Sequence, residues 1–155
     1  MGIFDKVFGK RETSPEERSD KSLAALTIAM ATFNGGITLG EALKRKKIPK
    51  NKRTKRIKIA FAFGAFDFFA GENRMTIYET KEAFEEYIND EYKKDSKELV
   101  TWFNKNINKK NFEKIMQIGG QSIMDLIKQR LKNQIILFTI LNDKKYKLWV
   151  HFIKL

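Results

Sequence analysis

The chain has 155 residues, 42% hydrophobic and 32% charged, with thirteen Phe, one His, no Cys and a formal net charge of +12. That length and apolar content predict a single domain that buries a core without staples, and they exclude an intrinsically disordered chain. The absence of Cys excludes disulfides, thiolate nucleophiles and cysteine-based zinc or iron–sulfur sites, and it fits a reducing cytoplasmic setting.

Residues 1–13 read as a short amphipathic segment in which Ile3, Phe4, Val7 and Phe8 fall at helical spacing. Gly2 follows Met1 as acylation would require, but Lys6 occupies the position where that signal needs Ser or Thr. No continuous apolar stretch suggests a secretory leader. Phe4 and Phe8 are the residues of this segment expected to touch a membrane if one is the partner.

Ser14-Pro15-Glu16-Glu17 is a helix start, with Ser14 as cap, Pro15 at the first helical position and Glu17 completing a capping box. Leu23, Leu26, Met30 and Phe33 continue the helical period, and Asn34-Gly35-Gly36 is expected to end it. A second short helix is expected from Thr38. Gly35 to Glu41 (GGITLGE) copies part of a phosphate-binding loop but places Glu41 where Lys is required, so no nucleotide site is read there.

Ten of the fifteen residues from Lys44 to Lys58 are basic and none is acidic, so this block holds ten of the twelve net charges. Pro49 disfavours helix at Ile48, and like charges repel, so a solvated loop is expected over residues 44–58. Its candidate anion-binding residues are Lys44, Arg45, Lys46, Lys47, Lys50, Lys52, Arg53, Lys55, Arg56 and Lys58.

Thr54 to Ala70 turns from basic to apolar on all sides, which predicts a helix surrounded by others, with Gly64 at a close backbone contact and Asp67 in need of a hydrogen-bonding or ionic partner. Thr76 to Glu79 offers a capping box for an acidic helix reaching Tyr92, whose carboxylates are placed to mask the basic block. Ser96 starts a further helix through Trp102 and Phe103, and Phe112 to Leu131 another, with Gly119-Gly120 as an expected kink. Gly120-Gln121-Ser122 begins like a nucleophile elbow but lacks the closing Gly, so Ser122 is read as a helix residue. Ile135–Leu141 and Tyr146–Ile153 flank a polar turn and are rich in β-branched and aromatic residues, which predicts a C-terminal β-hairpin, with a pair of short helices as the alternative. His151 has no second His or Cys to complete a metal site or a catalytic pair, so no metal and no cofactor are expected.

The sequence therefore predicts a mainly α, compact multi-helix domain of about six helices over residues 14–155, ending in a hairpin and carrying a basic loop. The function expected is non-enzymatic: a binding or adaptor protein in the cytoplasm whose loop contacts an anionic partner. Nucleic acid bound without sequence specificity leads, because charge is concentrated while no base-stacking aromatics or recognition motif accompany it. Peripheral attachment to anionic membrane is the alternative, since the charge-free stretch Ser22–Gly40 and the apolar stretch Ile59–Gly71 flank the block. A regulatory module that binds an acidic protein is the third reading.

Overall fold

A computed structural model describes residues 13–128 and 136–143, and it is mainly helical. Helix α1 spans Pro15–Lys44 and starts at the expected cap, with the Ser14 side chain accepting the Glu17 N–H at 3.1 Å. The Glu17 side chain does not return a bond to the Ser14 N–H, so the expected capping box is only half formed. The helix does not stop at Asn34-Gly35-Gly36. Two helical glycines cost about 2 kcal/mol relative to Ala, but they lie mid-helix, where Met30, Phe33, Ile37 and Gly40 continue one buried face. Breaking the helix would remove Ile37 and Gly40 from the core. A Cβ at Gly40 would come within 2.3 Å of the Phe138 ring, so that glycine is needed for contact rather than for termination. Arg45 ends α1 in the left-handed region at φ 51, its N–H bonding the Glu41 carbonyl.

Helix α2, Lys52–Glu72, begins when the Asn51 side chain accepts the Thr54 N–H at 3.0 Å. The loop expected over 44–58 is thus confined to its first half, and residues from Lys52 onward are helical. An N-cap and an apolar run from Ile57 outweigh charge repulsion here, because nearby carboxylates meet several of these cations. From Ile59 to Phe66 every residue of α2 is buried, as a central helix requires. Asp67 breaks this pattern. It lies on an exposed edge of α2 and forms no ion pair with a described residue, so the partner expected for it is not needed.

Helix α3, Ile77–Tyr92, carries the expected capping box: Thr76 accepts the Glu79 N–H and Glu79 accepts the Thr76 N–H. A 3₁₀ turn, Lys93–Asp95, leads to α4, Ser96–Asn106, and then to α5, Lys110–Ile127. Phe63 of α2, Phe84 of α3, Phe103 of α4 and Phe112 of α5 meet at the centre, with Phe63 4.9 Å from Phe84 and 5.0 Å from Phe103 between ring centroids. Trp102 is buried beside Phe112 as part of the same core.

Helix α6, Ile136–Asn142, replaces the first arm of the expected hairpin. Leu137, Phe138, Ile140 and Leu141 are buried together at helical spacing, and α6 packs mainly on α1. A short, wholly apolar run has no period that separates strand from helix, so its packing partner decides. No strand occurs among the described residues. The second expected arm, 146–153, lies outside the described residues, as do Phe4, Phe8 and His151.

Gly119-Gly120 lies within α5 as a contact with α2. A Cβ at Gly119 would sit 2.1 Å from the Phe61 carbonyl oxygen, and one at Gly64 would sit 1.8 Å from the Met116 carbonyl oxygen. The two helices therefore touch backbone to backbone at reciprocal glycines. Backbone has no alternative rotamer, so Gly64→Ala and Gly119→Ala should each lower the urea-unfolding free energy by about 1–3 kcal/mol or more. Gly35→Ala, where a Cβ meets nothing within 4 Å, should instead raise it by about 0.5–1 kcal/mol.

Candidate anion-binding surface

The ten basic residues of the block divide at Asn51. Lys44 and Arg45 close α1, and Lys46, Lys47 and Lys50 follow on the linker to α2; all five are exposed and none forms an ion pair with a described residue. The linker backbone is nevertheless held. The Lys46 N–H bonds the Glu41 carbonyl at 3.1 Å, the Ile48 N–H bonds the Glu41 carboxylate at 2.9 Å, and Thr54 Oγ1 donates to the Pro49 carbonyl at 2.6 Å. Ile48 packs against the core, leaving the cations outside. Glu41, the residue that spoils the phosphate-loop reading, thus organises the basic linker from the last turn of α1.

The other five cations lie on α2, where four of them meet carboxylates or carbonyls and the fifth, Lys58, is partly buried. Lys52 pairs with Glu98 at 2.9 Å and Lys55 with Asp95 at 2.6 Å. Arg56 lies 3.8 Å from Glu98, with its guanidinium 5.6 Å from the centroid of the Trp102 ring. Arg53 donates to the carbonyls of Leu141 at 2.9 Å and Asp143 at 3.3 Å, so it satisfies the C-terminal end of α6. Burial lowers the pKa of both arginines, which stay cationic. Lys58 is largely withdrawn from solvent, and desolvation pushes its ammonium pKa down against the opposing pull of Glu91 and Glu41.

The masking expected from the acidic helix is supplied mainly by Asp95 and Glu98, which follow that helix. Glu79 is engaged with Arg18 at 2.7 Å instead. Sequence reasoning missed this because Asp95 and Glu98 are interleaved with Lys93, Lys94 and Lys97 rather than part of an acidic run; only their place beside α2 selects them.

A second surface adjoins the free cations. From Ala24 to Leu43 the outer side of α1 carries no charged residue except Glu41 at its margin, and Ile28, Leu39 and Leu43 are 72%, 44% and 65% exposed. The hydroxyls of Thr27, Thr32 and Thr38 donate back to the carbonyls of Leu23, Ile28 and Asn34, which reduces the polarity of this face. By length and composition α1 is apolar enough to cross a membrane, yet its inner side is part of the core.

Elsewhere, a cleft of about 370 Å³ holds Asp67, Thr80, Asn108 and Glu113 over Phe63 and Met116. Partial burial raises the Asp67 carboxyl pKa. No group of three or more metal-ligating side chains converges among the described residues. Ser122 donates to the Ile118 carbonyl at 2.7 Å inside α5, in keeping with a helix residue. No family model, curated protein or solved structure matches this chain.

Hydrogen bonds from Lys55 and Lys52 hold the carboxyls of Asp95 and Glu98 below their ordinary values of 3.8 and 4.5. Depressed acid pKa values stabilise the fold above the ordinary carboxylate range, and that contribution is lost as pH falls through the depressed values. Urea midpoints measured from pH 6 downward should therefore fall below about pH 4, and an Asp95→Asn, Glu98→Gln variant should show a shallower fall over the same range.

Proposed function

We propose that the protein docks on anionic membrane surfaces through the corner where α1 ends. The observation that carries this reading is the adjacency of five exposed cations with no ion-pair partner among the described residues, Lys44, Arg45, Lys46, Lys47 and Lys50, to the exposed Leu39 and Leu43. Near an anionic leaflet each cation contributes about 1 kcal/mol, so five alone support only sub-millimolar attachment. Complete burial of a leucine is worth about 1.5–3 kcal/mol; with Leu39 44% and Leu43 65% exposed, the two together add roughly 1.6–3.3 kcal/mol, which brings the total into the micromolar range.

A nucleic acid would engage the same cations but leave the leucines in water, and the linker offers no aromatic side chain for stacking. The membrane uses both features, which is why it is preferred over nucleic acid here. The surface implied is the cytoplasmic leaflet, and Phe4 and Phe8 are the sequence's remaining candidates for insertion. Arg53, Lys55 and Arg56 drop out of the primary contact because other residues already engage them, Lys58 because it is partly buried, and Lys52 contributes less because Glu98 offsets its charge.

The test is co-sedimentation with vesicles of phosphatidylcholine alone or with phosphatidylserine, across a salt series. Binding to the anionic vesicles only, abolished when Lys44, Arg45, Lys46, Lys47 and Lys50 are changed to Gln and weakened about tenfold or more by Leu39→Ser with Leu43→Ser, is the expected result. A labelled DNA duplex run in parallel separates the alternatives. Tight duplex binding that is indifferent to the leucine changes, with no vesicle binding, would replace this reading with nucleic-acid binding; binding to neither would remove both.

A further inference from the structure

The outer face of α1 ends in opposite charges. At its N-terminal end Glu16 and Asp20 line a cleft of about 300 Å³ together with Glu82 and Glu86 of α3, and none of these four forms an ion pair with a described residue. At its C-terminal end stand the five cations that have no ion-pair partner among the described residues. Between them lies a face of α1 that no other described element covers, with Ile28 at its centre and Leu39 at its margin. A partner suited to this surface is long, apolar in the middle, basic opposite Glu16 and acidic opposite Lys46. The same face turned end for end has that description.

We infer that the protein forms a two-fold homodimer in solution in which α1 packs antiparallel against α1 of a second copy. Ala24, Ile28, Ala31, Gly35, Thr38 and Ala42 recur at alternating four- and three-residue steps along the exposed side, the spacing of a helix–helix seam. With the two-fold axis level with Phe33, Ala31 faces Gly35 of the second copy, Ile28 faces Thr38 and Ala24 faces Ala42. In this register Asp20 lies toward Lys46 and Glu16 toward Lys50. Past Lys44 the chain leaves the helix, so the match there is one of ends rather than of atom pairs. Lys21 lies toward Arg45, a like-charged pairing outweighed by the acids around it. A parallel arrangement sets five cations against five cations and is excluded by repulsion. The contact is isologous, so it closes at two copies instead of growing into a filament.

The pairing does not depend on what the cations bind when free, but it draws on Lys46 and Lys50. A dimer and an anionic surface therefore compete for one face.

Sedimentation equilibrium of the full chain, without lipid, tests the proposal. The expected result is twice the chain mass at low salt, with a dissociation constant that rises with salt and increases at least about tenfold in Ile28→Asp, a change at an exposed position. Lys46→Glu with Lys50→Glu should weaken the dimer, and adding Glu16→Lys with Asp20→Lys should restore it, a rescue that a folding defect would not show. Because the chain has no Cys, Ala24→Cys and Ala42→Cys report orientation. Mixed together they should cross-link, and each alone should not, since like positions sit about 27 Å apart along antiparallel helices at 1.5 Å per residue. A single-chain mass at every soluble concentration, or cross-linking of Ala24→Cys by itself, would overturn the inference.

Discussion

Two helices touch backbone to backbone only where neither presents a Cβ, and the contact of Gly64 with the Met116 carbonyl and of Gly119 with the Phe61 carbonyl sets the arrangement of this protein. That approach seats α2 so deeply against α5 that α3, α4 and α5 all bring a phenylalanine to Phe63. Burial of α2 on all sides then leaves its basic first turns little freedom. They are carried against the 3₁₀ turn and α4, where Asp95 and Glu98 receive them. The glycine contact, which itself involves no cation, thus helps decide which lysines face solvent.

The same frame explains what could be read in the sequence. Helix starts were legible because Ser14 and Thr76 are local chemical events, each a side chain satisfying an N–H three residues on. The central helix was legible because an apolar run on every side has few other fates. Helix ends were not. Asn34-Gly35-Gly36 has the local signature of a stop, but buried neighbours on both sides kept the helix intact. The run from Ile135 to Leu141 satisfied the composition of a strand, and only the face of α1 waiting for Phe138 settles the part from Ile136 onward as a helix.

The basic block shows a different limit. Along the sequence its ten cations are equivalent, and nothing short of the fold separates them. Asn51 starts a helix in the middle of the block, so the cations before it stay on a solvent-facing linker and those after it are distributed around a buried helix. Arg53 illustrates the result: a residue selected for its charge serves as a cap on helix carbonyls. Conversely, the outer face of α1 was visible only as a stretch without charge, and its exposure emerged when the opposite side was found in the core.

The clamp of Arg53 on α6 also bears on how the molecule is made. It joins residues 88 positions apart in the chain, and the seat of Phe138 on Gly40 spans a comparable separation. Contacts of such long range form late, since the intervening segment must first be organised. During synthesis from the N-terminus, α1 and the start of α2 therefore wait, with an apolar groove and an uncapped guanidinium uncovered, until nearly all of the helical chain has left the ribosome. The groove that α6 eventually fills is the part of the nascent protein most in need of protection by a chaperone.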